Sequence, residues 1–176
     1  MQLWKKALAA VTAGVLCLGS VGISGVQSVL ESVRTVLTAS ADVPGEYDGT
    51  YGDLYYKNDD DLVSIVGCKT TAESVEIPAE IDGKPVTSIE KMAFSGCTSL
   101  TAITIPDSVM SIGDSAFSNC TSLIEITIPD SVTGIEEYAF SGCTSLTAIT
   151  IPDSVTNIGV GVFFDCTSLT EITIPD

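Results

Sequence analysis

Apolar residues recur with a period of 23 residues over the C-terminal part of the chain. Residues 100–106 read Leu-x-x-Ile-x-Ile-Pro, residues 109–112 read Val-x-x-Ile, and the same stretch returns at each later period. Alternation at Ile103 and Ile105 predicts a short strand that buries both side chains on one face. The following proline lacks the N–H that would continue a parallel ladder. A period of this length predicts a solenoid of stacked coils.

Three further columns of identical residues keep the same period. They contain phenylalanine, cysteine and leucine: Phe94, Phe117, Phe140 and Phe163; Cys97, Cys120, Cys143 and Cys166; Leu100, Leu123, Leu146 and Leu169. Stacking of successive coils would place each set in a core ladder. Each coil is therefore expected to consist of a strand, a turn and a return segment, with the return segment short and helical or irregular.

The residues that alternate with the buried isoleucines are predicted to face outward. They form two columns: Ala102, Glu125, Ala148 and Glu171, then Thr104, Thr127, Thr150 and Thr173. Solenoids use such concave parallel sheets as extended recognition surfaces, so these columns are the candidate binding site. Neither column contains an aromatic residue or an arginine, which argues against a strong binding hot spot and for weak contacts multiplied by avidity.

The repeats are expected over residues 77–176, with an atypical first unit. Ile77 and Ile105 lie 28 residues apart rather than 23, and the extra residues fall in the turn-rich stretch 79–85. Terminal units of solenoids often differ from the others because they cap the core. No comparable cap follows the repeats, so the strand that contains Ile172 is expected to be an open edge and a candidate for edge-to-edge self-association.

Two segments are predicted between the repeats and the N-terminus. Residues 54–76 are expected to form a capping β-hairpin, because two apolar stretches flank the turn residues Asn58–Asp61. Residues 42–53 contain one proline and three glycines, and they are expected to form a flexible linker.

Residues 1–41 have the order of a secretory signal with an amphipathic spacer. Two lysines precede the uncharged run 7–23, and the Ala-Ser-Ala sequence predicts cleavage after Ala41. One alternative is an uncleaved membrane anchor, since the run is at the lower limit of a spanning length. Another is a lipoprotein site at Cys17. Cleavage is preferred, and it predicts a secreted or cell-surface protein of a bacterium. The protein would contact the membrane only if the signal segment stayed uncleaved.

Composition excludes several classes of function. The formal charge is −16, with 23 acidic and 7 basic residues, so a nucleic-acid partner is not expected. The sequence contains no histidine, which removes imidazole-based catalysis and His-ligated metals. Adjacent carboxylates such as Glu136 and Glu137 lack the facing geometry of a glycosidase. The chain is therefore expected to be no enzyme and to use no cofactor.

The cysteine column admits three interpretations. Buried free thiols are preferred, because Cys packs as a small apolar residue. An internal disulfide and a metal site are the alternatives, although a linear column does not resemble a tetrahedral zinc site. Calcium binding is the alternative to turn formation, which is preferred, at a column of aspartates: Asp107, Asp130, Asp153 and Asp176. A serine column is expected to bond backbone groups in the turns: Ser108, Ser131 and Ser154.

The octapeptide Ala-Phe-Ser-Gly-Cys-Thr-Ser-Leu occurs at residues 93–100 and again at 139–146. Together with the Ile-Pro and Val-x-x-Ile stretches, it resembles the BspA-like, or treponemal, class of bacterial leucine-rich repeats. The resemblance implies an α/β repeat solenoid with a parallel concave β-sheet, exported or attached to the cell surface. It also implies adhesion to host matrix proteins or other cells through that sheet. The alternative is a structural spacer, or a fragment of a longer surface repeat protein.

Overall fold

The computed structural model describes residues 45–174, and the predicted signal segment with its cleavage site lies outside this range. The described residues form β-strands and turns and contain no helix. Accordingly, this part of the chain has no helix that could cross a membrane. The strands are β1 (Gly49–Tyr51), β2 (Leu54–Asp59), β3 (Leu62–Cys68), β4 (Ser74–Glu76), β5 (Glu80–Ile81), β6 (Lys84–Ile89), β7 (Ala102–Thr104), β8 (Ser111–Ile112), β9 (Glu125–Ile126), β10 (Gly134–Ile135), β11 (Ala148–Thr150), β12 (Asn157–Ile158) and β13 (Glu171–Thr173).

The predicted parallel strands form what we call the front sheet, made of β4, β7, β9, β11 and β13. Its strands are hydrogen-bonded in two blocks, β4–β7–β9 and β11–β13. Register follows the repeat: Ile103 lies opposite Ile126, and Ile149 lies opposite Ile172. The solenoid and its parallel sheet are thus confirmed, since coils of equal length place equivalent residues side by side.

A second sheet runs along another side of the coils, and its strands pair in parallel from β3 to β12. Its strand order is β1–β2–β3–β6–β8–β10–β12, and the isoleucines of the Val-x-x-Ile stretch lie in register: Ile89, Ile112, Ile135 and Ile158. The sequence pattern predicts only the concave sheet and assigns no strand to this stretch. A second sheet forms because each coil also aligns the backbone of this stretch with that of its neighbours, and N–H and C=O groups there pair across coils.

The return segments are irregular, and the helical alternative is wrong for the described residues. Each is a series of four-residue turns, such as those closed by Cys120 N–H to Phe117 O (3.2 Å) and Leu123 N–H to Cys120 O (3.1 Å). Ser115 and Asn119 have φ of 54° and 59°, in the left-handed region. A helix cannot pass through such residues, so the segment turns instead.

The phenylalanine column forms a continuous stack in the core. Ring centroids lie 5.0 Å apart between Phe94 and Phe117, 5.3 Å between Phe117 and Phe140, and 6.0 Å between Phe140 and Phe163. The first three rings are fully buried, whereas Phe163 is partly buried. Burial of one such ring contributes about 1.5–3 kcal/mol, so the stack is a main source of coil-to-coil stability.

The N-terminal end of the core is covered by the β2–β3 hairpin. These strands pair antiparallel, and Val63 and Ile65 of β3 are fully buried. The expected linker 42–53 contains β1, which pairs antiparallel with β2 and so belongs to the sheet. The expected cap 54–76 likewise extends too far, because β4 pairs with β7 and is the first strand of the front sheet. Val75 takes the buried position that isoleucine takes in later coils.

Candidate binding surface

The outward columns of the front sheet lie side by side in the predicted register. Ala102 lies opposite Glu125, Ala148 opposite Glu171, and Thr150 opposite Thr173. All members of the two columns are exposed except Ala102, which is half-buried. We call this surface the front face; its residues are Ala102, Thr104, Glu125, Thr127, Ala148, Thr150, Glu171 and Thr173.

Alternation along each strand explains why these side chains face solvent. Ile103 and Ile105 are buried in the core, so Ala102 and Thr104 must lie on the opposite side of the strand. The same argument holds for Ile126, where the neighbouring Glu125 is exposed. A rigid core thereby presents the polar residues in a regular array without dedicated loops.

Two further residues adjoin the front face and are not among those predicted from the sequence. Ser74 and Glu76 of β4 are exposed, and they lie opposite Ala102 and Thr104. They extend the two columns by one coil toward the N-terminus. The signal was available in the sequence, because Val75-x-Ile77-Pro follows the Ile-x-Ile-Pro pattern of later coils.

An open depression of about 800 Å³ lies on the front face where its hydrogen-bonded ladder is interrupted. β9 pairs with β7 but not with β11, so the two blocks of the sheet meet here. Front-face residues that line it are Glu125, Thr127, Ala148, Thr150 and Thr173. Asp130 and Asp153 line its rim from the turns that follow the strands. The depression therefore combines hydroxyl groups with carboxylates and contains no basic side chain.

Spacing along the stack keeps the carboxylates apart. Glu125 and Glu171 belong to coils separated by the coil of Ala148, so two strand spacings, roughly 10 Å, lie between them. At this distance salt screens much of their repulsion. The front face is acidic and regular, and a neutral or basic partner complements it.

The cysteines belong to the core and not to this surface. Cys68, Cys97, Cys120 and Cys143 are buried, and Cys166 is partly exposed. Burial raises the pKa of Cys143 to about 12, because desolvation penalises the thiolate and the neighbouring Cys166 adds to the effect. Among residues 45–174, no cluster of Cys, Asp or Glu has the form of a metal site.

The serine column behaves as expected. The Ser108 hydroxyl donates to Ala79 O (3.3 Å), Ser131 to Val109 O (2.5 Å) and Ser154 to Val132 O (2.8 Å). Each bond joins one coil to the coil before it. These hydroxyls therefore act within the scaffold.

The fold and the front face define a class: a leucine-rich repeat solenoid with a polar strand surface. The family described as BspA type leucine rich repeat region matches residues 67–176 in 6 copies. The chain belongs to this family of bacterial leucine-rich repeat proteins.

Three solved structures illustrate the similarity. A leucine rich repeat protein of T. pallidum is 31% identical over 73% of this chain and 72% of its own, with a TM-score of 0.62. One from Bacteroides capillosus is 27% identical over 74% and 100%, with a TM-score of 0.64. A leucine rich cell surface protein from Faecalibacterium prausnitzii is 31% identical over 77% and 44%, with a TM-score of 0.56. No curated protein matches the chain.

Proposed function

We propose that this protein is a non-catalytic, exported binding module that recognises a protein partner through its front face. The observation that carries the proposal is the exposed polar array itself, with Glu125, Thr127, Thr150, Glu171 and Thr173 held in register on a rigid core. Regular strand surfaces in solenoids serve as extended recognition surfaces. Because the array is acidic, the partner is neutral or basic.

Adhesion to host matrix proteins or to other cells is the proposed role. This role is supported by two structurally similar bacterial proteins. One is the leucine rich cell surface protein from Faecalibacterium prausnitzii, and the other is the leucine rich repeat protein of T. pallidum. The front face has no aromatic residue or arginine among its columns, so single contacts are weak and binding gains strength from several copies on one surface.

Export through residues 1–41 belongs to the same proposal. Cleavage after Ala41 would release a chain that begins at Asp42, and it would remove Lys5, Lys6 and Arg34, which makes the protein more acidic. Mass spectrometry of the exported protein tests this. A chain that retains residues 1–41 in the membrane fraction would instead indicate an uncleaved anchor.

Binding of the purified protein to immobilised matrix proteins and to whole cells tests the main proposal. The test variant carries Glu125→Lys and Glu171→Lys, which reverse two charges on the front face. A matched control carries Glu136→Lys and Glu137→Lys, which reverse the same number of exposed charges away from it. Circular dichroism verifies that both variants fold.

The proposal is supported if the unmodified protein binds saturably, the front-face variant binds at least about tenfold more weakly, and the control binds as well as the unmodified protein. Equal loss in both variants would indicate general electrostatics instead of a specific face. Absence of binding by all three folded proteins would favour the alternative role, a structural spacer within a surface layer. A catalytic activity that a single Asp or Glu substitution abolishes would indicate that the protein is an enzyme.

A further inference from the structure

The described cysteines follow the 23-residue period except for Cys68, which lies 29 residues before Cys97. At this point the coils are related by a longer shift. Ser74 of β4 lies opposite Ala102 of β7, so residues before β4 and before β7 correspond at a spacing of 28. The same spacing places Lys69, and not Cys68, opposite Cys97.

Hydrogen bonds in the turns agree with this correspondence. Ala72 N–H donates to Lys69 O at 3.1 Å, as Leu100 N–H donates to Cys97 O at 3.1 Å. Lys69 does not take the buried place of a cysteine, because its ammonium group forms an ion pair at the surface. Cys68 therefore provides the buried sulfur next to Cys97 on the N-terminal side, one residue out of register.

The thiols of Cys68 and Cys97 are in hydrogen-bonding contact with each other. Both side chains are buried, with exposed fractions of 5% and 1%. The Cys68 thiol also approaches the carbonyl oxygen of its own neighbour Lys69, at 3.5 Å. The bond with Cys97 and burial raise the pKa of the Cys68 thiol, because both disfavour the thiolate. Two sulfur atoms thus touch inside the closed core.

The other described cysteines are arranged in a way that disfavours bonds between them. Cys120, Cys143 and Cys166 are in register, and such neighbours in stacked coils lie roughly 4.8 Å apart with parallel Cα–Cβ bonds. A disulfide needs Cβ atoms about 3.8 Å apart. Each of these three thiols also donates to a phenylalanine carbonyl of the preceding coil. Neither restriction applies to Cys68, because it is out of register and bonds Cys97 instead.

From these observations we infer that Cys68 and Cys97 form a disulfide bond when the protein is exported to an oxidising compartment. The bond joins the end of β3 to the return segment that precedes β7. The number of cysteines agrees with this assignment, because five follow the predicted cleavage site and one pair leaves three. Those three are the column members whose thiols bond carbonyl oxygens.

A small disulfide such as oxidised glutathione is the class of oxidant that balances the reaction. The thiolate of one cysteine attacks a sulfur of the reagent, which forms a mixed disulfide and releases one reagent thiol. The second cysteine attacks the protein sulfur of the mixed disulfide, so the Sγ–Sγ bond forms and a second reagent thiol leaves. Two electrons and two protons pass from the protein to the reagent. Because the closed core disfavours thiolates, the bond forms during folding, before the hairpin closes over the pair.

The bond would hold the β2–β3 hairpin on the core at the N-terminal end of the solenoid. Coils of a solenoid contact only their neighbours, so local opening begins at the ends. Val63 and Ile65 of the hairpin are buried, and opening would expose them together with the core beneath. A covalent link from β3 to the return segment before β7 opposes this opening.

The inference rests on the proposed export only for the oxidising compartment. The pairing itself is a property of the purified chain and does not depend on what the front face binds. A failure of the pairing and a failure of the binding role are therefore distinguished by separate measurements.

Oxidative refolding tests the pairing in the full chain. Every protein carries Cys17→Ser, because Cys17 would add a sixth thiol. The chain is refolded from urea with oxidised glutathione and a smaller amount of reduced glutathione, which allows wrong pairs to exchange. N-ethylmaleimide then blocks the remaining thiols. Digestion at aspartate residues separates the five cysteines, since at least one aspartate lies between each successive two.

Mass spectrometry should find one linked pair of peptides, residues 61–81 with residues 82–106, and a protein about 2 Da lighter than its reduced form before blocking. Cys120, Cys143 and Cys166 should carry the blocking group. Blocking groups on all five cysteines, or a link that involves any other cysteine, would overturn the inference.

Two matched variants each remove one buried thiol, Cys68→Ala and Cys120→Ala. Circular dichroism verifies that both fold. The link should persist in Cys120→Ala, and no disulfide should form within Cys68→Ala. Loss of the link in folded Cys120→Ala, or a new bond between Cys97 and Cys120 in Cys68→Ala, would overturn the assignment.

Urea unfolding with and without a reducing agent tests what the bond does. Reduction should raise the unfolding equilibrium constant of the unmodified protein at least about tenfold and leave that of Cys68→Ala unchanged. An equal response of the two proteins would overturn the inference, because the reducing agent would then act elsewhere.

Discussion

The thiol of Cys143 donates a hydrogen bond to the carbonyl oxygen of Phe117, at a distance of 3.2 Å and across 26 residues of sequence. Equivalent bonds join Cys120 to Phe94 (3.1 Å) and Cys166 to Phe140 (3.0 Å). The cysteine column therefore does more than fill space, because each thiol satisfies a backbone acceptor of the preceding coil. The Phe117 carbonyl also accepts the N–H of Cys120, so the thiol adds a second hydrogen bond, and a bond of this kind contributes about 0.5–1.5 kcal/mol.

Cys143→Ala should consequently destabilise the fold by about 1–3 kcal/mol, because it removes both the thiol donor and buried volume. Cys166→Ala is the matched comparison: it removes the same bond at a position that is already partly exposed. We expect its cost to be less than half as large. Urea unfolding measures the free energy of unfolding of both variants. Equal losses would show that burial does not determine how much each cysteine contributes to stability.

Thiol reactivity should follow burial along the same column. Desolvation raises the pKa of Cys120, Cys143 and Cys166, and the first two are the more deeply buried. The reactive species is the thiolate, so a raised pKa and a closed core both slow labelling. At about pH 8 an aromatic disulfide reagent should label Cys166 first in the folded protein. Rapid labelling of Cys143 without unfolding would contradict this order.

Stability should decrease in alkaline solution for the same reason. The pKa of Cys143 rises from 9.0 to about 12 on folding, so the unfolded chain loses this proton at lower pH than the folded protein. The stabilising contribution is complete below pH 9 and is lost as pH rises toward 12. Unfolding at several pH values should show a shallower decline for Cys143→Ala. Tyrosine ionisation affects both proteins, so the difference between them isolates the thiol.

The phenylalanine stack predicts a gradient of mutational cost. Phe117 is fully buried between two rings, whereas Phe163 is partly buried and stacks on Phe140 alone among the described residues. Phe117→Leu should cost about 1–3 kcal/mol, and Phe163→Leu about half of that. Thermal unfolding by circular dichroism compares the two. A larger cost at Phe163 than at Phe117 would contradict this gradient.

Substitution by alanine should have opposite effects on stability at Gly113 and Gly134. A Cβ at Gly113 would lie 2.7 Å from the backbone nitrogen of Lys91, so the two coils would have to separate. Gly113→Ala should therefore cost about 1–3 kcal/mol. At Gly134 the nearest atom is a Glu136 carboxylate oxygen at 3.9 Å. Gly134→Ala should be neutral or stabilising by up to about 1 kcal/mol, through lower entropy of the unfolded chain.

Equal melting temperatures of Gly113→Ala and Gly134→Ala would contradict this prediction. They would show that the two coils accommodate a Cβ at Gly113 without loss of stability. Gly134 lies inside the Val-x-x-Ile stretch of residues 132–135, whereas Gly113 directly follows the stretch of residues 109–112. Neither needs a left-handed backbone conformation, so the difference reports space alone.

The repeat, the buried side of the front sheet and the outward columns follow from the sequence alone. Alternation at Ile103 and Ile105 is a local property, and a strand with period two must direct such residues to one side. The period of 23 then places each strand beside the next, because coils of equal length stack in register. The Ile-x-Ile pattern therefore predicts the register of Ile149 with Ile172 without any tertiary information.

The second sheet, the strand at Gly49–Tyr51 and the depression at Glu125 depend on the tertiary structure. Strands of two residues are too short for alternation to reveal them, and β1 forms only because β2 offers its edge. The left-handed conformation of Ser115 is likewise imposed, since its N–H bonds Glu137 O of the next coil (2.9 Å). Contacts between coils decide these features, and no local pattern contains them.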